Sequence, residues 1–183
     1  MKIITEYLSS KVKPSIIYAT DNTIDTIIRQ EFKRLGLQCS LNHIDVSKIT
    51  DMNSLFDCSG SSTDIGLGEE YKELDIDISK WNVSNVTDMQ YMFLGCKKFN
   101  SDLSDWNVEN VKIMHSMFNG CELFDSDISR WNVSNVENMD HMFAWCKNFN
   151  QDISQWNTNN VKKFNGIFSN CNIQENYMCK FVK

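Results

Sequence analysis

The side chains in this sequence able to do chemistry are seven cysteines, three histidines and a regular set of aspartates. Cys96, Cys121, Cys146 and Cys171 stand 25 residues apart, with Cys39, Cys58 and Cys179 outside that series. A thiolate is a nucleophile and a metal ligand, but zinc sites and disulfide frameworks use close spacings or even totals. An interval of 25 and an odd count fit neither, so the series reads as buried, reduced thiols in a small apolar slot. Of the histidines, His43 precedes the repeats, while His115 and His141 lie outside the apolar stripe of different repeats and read as solvated surface. Asp77, Asp102, Asp127 and Asp152 recur at the same interval. Acid–base catalysis needs carboxylates with separated roles; four equivalent ones read as turn caps that accept backbone N–H groups. A calcium column would need a glycine-rich nonapeptide pattern that is not present. The expectation is a non-enzymatic chain with no catalytic residue, no metal ligand and no cofactor.

The interval belongs to the chain as a whole. Trp81, Trp106, Trp131 and Trp156 keep it, as do Val86, Val111, Val136 and Val161, and Phe93, Phe118, Phe143 and Phe168. Such self-similarity is the signature of a solenoid, in which no unit can bury its faces alone. Within the Trp81 unit, Trp81 and Val83 alternate with polar residues, which predicts a short strand. Val86, Met89, Met92, Phe93 and Cys96 fall at helical spacing, which predicts a short helix. Asn85, Asn110, Asn135 and Asn160 stand where an N-cap belongs. The predicted fold is an α/β solenoid, a leucine-rich-repeat-like stack of short parallel strands and short helices with an N-terminal helical cap. Stacking would make a tryptophan ladder inside, an outer column of Asn82, Asn107, Asn132 and Asn157 with mutually bonded amides, and a charged column of Lys80, Asp105, Arg130 and Gln155.

Taken in order, residues 1–40 read as the helical cap, with one helix over 1–19 stopped near Pro14 and a second whose face is Ile24, Ile27, Ile28, Phe32 and Leu35. Thr20, Asp21 or Asn22 would start the second helix and Gly36 would end it. Residues 41–74 read as a degenerate first repeat with an inserted loop, protruding over Asp57–Leu74. Residues 75–171 are the four 25-residue repeats, and 172–183 a C-terminal cap using Tyr177, Met178, Phe181 and Val182.

The net charge of −6 and a sequence pI near 5.0 disfavour nucleic acid as a partner. The chain has no run of apolar residues long enough to enter a membrane, and Met1–Pro14 lacks the core of a signal peptide, so a cytoplasmic location is expected.

The pattern W-N-V-S-N-V-x-x-M-x-x-M-F-x-x-C-x-x-F-N, carried by Trp81–Met89, Met92, Phe93 and Cys96 and their copies, resembles the unit of the BspA-like, mycoplasma-type leucine-rich-repeat proteins. The match spans roughly Leu41 to Cys171, and that family was long a domain of unknown function. The resemblance implies a bacterial, phage or protist protein of a class often found at the cell surface and binding host or cell partners. It supplies no catalytic residues.

Binding positions are sought where the repeats differ outwardly. On the presumed sheet face these are Lys80, Asp105, Glu109, Arg130 and Gln155; on the helix side, Tyr91, Leu94, Leu123, His141 and Trp145. Trp145 stands where two other repeats place Gly95 and Gly120. The expected function is a protein-interaction module, monomeric or weakly oligomeric, with a self-assembling structural or surface protein as the alternative.

Overall fold

The computed structural model describes residues 15–60 and 67–181. Strand β1 (Ile17–Tyr18) leads into helix α1 (Ile24–Leu35), then β2 (Gln38–Ser40), β3 (Ile44–Asp45), a 3-10 turn (Glu69–Tyr71), β4 (Asp75–Asp77) and a second 3-10 turn (Glu175–Tyr177). The pairings β1–β3 and β2–β4 are both parallel. The helix expected over residues 1–19 is replaced at its end by β1; the rest lies outside the described residues.

Helix α1 forms where the spacing places it, with Ile24, Ile28 and Phe32 buried, although Leu35 is exposed. Thr23, not Thr20, Asp21 or Asn22, precedes its first turn; Asp21 instead accepts from the Thr50 N–H and hydroxyl at 2.8 and 2.7 Å. The Gly36 N–H closes the helix on the Phe32 carbonyl. Phe32 meets Phe56 and Tyr71, with centroids 6.4 and 5.8 Å apart, so α1 covers the apolar edge of the first coil.

From Asp51 onward the described chain winds in coils that lie on one another, the first step being 37 residues and the later ones 25. Parallel bridges link Asp51, Asp88, Ile113, Asn138 and Lys163 in succession. Rings of equivalent residues stack almost flat: Phe93, Phe118 and Phe143 at 5.6 and 5.8 Å, and Trp106, Trp131 and Trp156 at 6.5 and 6.4 Å with 3° between planes. A second phenylalanine column, Phe99, Phe124 and Phe149, locks against the first at 3.9 to 4.3 Å. Each indole N–H donates to a carbonyl of the preceding coil, Trp106 to Ile78 and Trp131 to Leu103, which satisfies the one polar atom of a buried tryptophan.

Inside each coil the expected strand and helix do not form; both stretches are series of turns. Trp81 and Val83 do point inward, but the Trp81 N–H closes a turn on Ile78 instead of joining a ladder. In the supposed helix the N–H groups alternate. Those of Met89, Tyr91, Phe93 and Gly95 donate to Ile113, His115, Met117 and Asn119 of the next coil. Those of Met92, Leu94 and Cys96 turn back on Met89, Tyr91 and Phe93 of their own coil. An α-helix of this length is marginal and spends every interior N–H on itself; the alternating winding satisfies as many and ties the coils together. Its signature is a left-handed residue at one repeat position: Ser54, Tyr91, Ser116 and His141 have φ of 58, 57, 51 and 56°.

The protruding loop expected over Asp57–Leu74 has its middle, 61–66, outside the described residues; its two described ends are anchored. Leu67 and Gly68 donate to the Asp57 carbonyl, Leu67 and Leu74 are buried, and Tyr71 packs on Phe32. At the other end Ile153 donates to the Tyr177 carbonyl and Phe181 stacks on Phe164 at 4.4 Å, while Val182 lies outside the described residues.

Candidate functional site

The repeated chemistry-bearing residues are absorbed by the winding. Asp77, Asp102, Asp127 and Asp152 each accept the N–H two residues on, from Ser79, Ser104, Ser129 and Ser154, at 3.0 Å. The Ser104 backbone holds Asp102 below the usual carboxylate range, and Ser129 and Ser154 do the same for Asp127 and Asp152. At Asp77 burial pulls upward, but bonds from Ser79, Asn42 and Ser40 outweigh it and the value ends low. These groups stay ionised as turn caps.

The thiols of Cys96, Cys121 and Cys146 are buried and donate to the Phe56, Phe93 and Phe118 carbonyls of the preceding coil at 2.9 to 3.0 Å. Burial pushes all three well above the ordinary thiol value, which makes poor nucleophiles of them. The cysteines are unbridged, with Cys39 and Cys171 only half-buried.

Two asparagine columns differ from expectation. Asn85, Asn110, Asn135 and Asn160 do not cap helices: each side-chain amide donates to the preceding coil, to the carbonyls of Ser47, Ser84, Glu109 and Ser134, at 2.7 to 2.8 Å. Asn82, Asn107, Asn132 and Asn157 do not bond to each other; each accepts the N–H two residues on, closing an Asx turn within its own coil.

Of the outward positions singled out from sequence, Lys80 and Asp105 form an exposed ion pair at 3.8 Å. Arg130 lies near enough to Asp127 to help hold its carboxylate low, after the bonds from Ser129. Glu109 accepts from the Asn107 amide at 3.2 Å and Gln155 donates to Ser154 at 3.2 Å, so both are tied to local turns. These residues do not lie on a strand face; they sit in the turns around each tryptophan.

The second set lies along the winding stretch. Tyr91 meets His115 edge-on at 4.8 Å, and His115 meets His141 at 6.3 Å, so three successive coils share one line of rings. His115 is half-buried and not the solvated residue expected, and its Nδ1 is buried without a hydrogen-bond partner among the described residues. Leu94 is half-buried. Leu123 and Trp145 are 45% and 53% exposed, unusually open for their size. Beside Leu123, Glu122 bridges Lys97 at 3.4 Å and Lys147 at 2.6 Å. Trp145 holds φ of 63°, against 74° at Gly95 and 79° at Gly120, the glycines it replaces.

Sequence reasoning missed Ser101 and Ser126, buried hydroxyls that accept the Ile78 and Leu103 N–H groups of the preceding coil at 3.1 and 2.8 Å. It also missed the Asn100, Asp125 and Asn150 series, in which each side chain accepts an N–H of the following coil at 2.9 to 3.0 Å. Both keep the 25-residue interval, and that was the available signal.

No helix among the described residues is long and apolar enough to cross a membrane. The family described as "Mycoplasma protein of unknown function, DUF285" matches residues 65–181. No curated protein and no solved structure matches the chain.

Proposed function

The chain belongs to the DUF285 family of Mycoplasma proteins of unknown function, and on that premise we propose that it is a non-enzymatic protein-interaction module of the BspA-like leucine-rich-repeat type, built as a solenoid. The reading is carried by Trp145: an aromatic ring held half in solvent, on a left-handed backbone that the two preceding coils fill with Gly95 and Gly120 and the last coil with Asn170. Left-handed backbone at a bulky residue costs free energy and persists where something is gained from it. Rigid exposed aromatics are the residues on which binding energy concentrates. Leu123 and the Lys97–Glu122–Lys147 group supply a further apolar side chain and a polar rim. Lys80, Asp105, Arg130 and the other turn residues form a second outward strip that differs from coil to coil.

The test is affinity capture from the native cell with the wild-type chain, Trp145→Ala and Arg130→Glu as baits. A partner retained by wild type and lost from Trp145→Ala supports the reading; equal capture by all three removes this choice of surface. Light scattering decides the self-assembly alternative, which a mass independent of concentration would dismiss.

A further inference from the structure

The two ends of the stack are finished differently. At the first coil, helix α1 lies over Phe56, and Met52, Ser54, Leu55, Phe56 and Asp57 are all buried. At the last coil the closing segment covers one half only. Tyr177 takes the Ile153 N–H, Lys180 takes the Thr158 hydroxyl and Phe181 stacks on Phe164. The other half is open: Gly166, Ser169 and Asn170 are exposed and Phe168 is half-buried.

That open half is the stretch which links every earlier pair of coils. The N–H groups of Met139, His141, Phe143 and Trp145 donate to Lys163, Asn165, Ile167 and Ser169. The corresponding donors of the last coil, on Phe164, Gly166, Phe168 and Asn170, have no acceptor among the described residues. An unpaired row of backbone groups at regular spacing is a template for another chain.

We propose that this open end docks a segment of another protein that winds as the repeat does, presenting main-chain carbonyls at alternate residues and an apolar side chain over Phe168. Hydrogen-bond polarity selects that occupant. Two copies meeting by their open ends would set donors against donors. Two copies stacked head to tail would need the first coil, which α1 covers. On every inner coil the occupant of this face is the next unit's winding segment, as 138–144 is over 114–120. The inference concerns the end of the stack and stands apart from the lateral surface around Trp145.

The probe is an acetylated, amidated peptide of the Val136–Cys146 sequence, with a scrambled peptide as control and amide hydrogen exchange of the full chain as the readout. The expected result is slowing of exchange at Gly166, Phe168 and Asn170 by at least about tenfold, with the scrambled peptide inert. Phe168→Ser should abolish the effect and Trp145→Ala should leave it intact, which separates this site from the lateral one. Unchanged exchange at those three amides would overturn the proposal. So would protection that appears without peptide as protein concentration rises, since the occupant would then be a second copy.

Discussion

Trp145 holds a left-handed backbone where Gly95 and Gly120 stand in the preceding coils. Trp145→Gly should therefore raise stability by about 1 kcal/mol while reducing partner capture, and urea unfolding beside the capture assay checks both. The reverse change is costly. A Cβ on Gly95 would lie 3.2 Å from the Ser59 backbone nitrogen, and its φ is +74°. Gly95→Ala should lose roughly 1–3 kcal/mol in the same measurement. The oddity of Trp145 was legible in the sequence because it broke a column of small residues. The left-handed backbone at Tyr91 and His141 was not, because a tyrosine or histidine does not advertise positive φ as glycine does.

At the scale of the coil, the asparagines explain what the sequence disclosed and what it hid. The repeat interval, the inward side chains and the tryptophan column could all be read directly. The helix at Val86–Cys96 was misread because two consecutive turns bring Met89, Met92, Phe93 and Cys96 inward at the spacing a helix would use. With no helix to cap, Asn110 and Asn135 serve the neighbouring coil instead. Asn135→Ala deletes one inter-coil bond and should cost about 1 kcal/mol, read as a lower urea midpoint at constant slope. Had Asn135 been a helix cap, Ser or Asp would substitute for it; here neither keeps a donor that reaches the Glu109 carbonyl, so Asn135→Asp should be at least as damaging as Asn135→Ala.

The stability of the whole molecule should fall off on both sides of neutrality. Asp127 and Asp152 sit below their ordinary value of 3.8 because the Ser129 and Ser154 hydroxyls, and then their N–H groups, favour the carboxylate; at Asp102 the Ser104 N–H leads and its hydroxyl adds to it. Their contribution is fully present above that value and is lost below it, as the pH falls on through the lowered folded-state values. Cys96, Cys121 and Cys146 are raised by burial, and Cys179 is pushed up to about 12. Their contribution is complete below the ordinary thiol value of 9.0 and declines as the unfolded thiols ionise above it. Thermal unfolding across pH should show both arms; an alkaline arm unchanged in Cys121→Ala, Cys146→Ala would contradict the second. The stack should also be uneven along its length, since Phe118 has ring neighbours in both adjacent coils and Phe168 in one. Phe118→Ala should cost about 3–5 kcal/mol and Phe168→Ala clearly less, with hydrogen exchange fastest in the last coil.

Four of the five tryptophans are buried, and three of them, Trp106, Trp131 and Trp156, form one file 6.4 to 6.5 Å apart with planes 3° from parallel. Indoles so arranged share their excited states, so the intact file should give a coupled near-ultraviolet circular dichroism band that isolated indoles lack. Trp145, out in solvent, contributes fluorescence open to quenching, and Trp145→Phe removes that background. The molecule thus carries an internal optical gauge of how many of its turns remain seated on one another, readable without any attached dye.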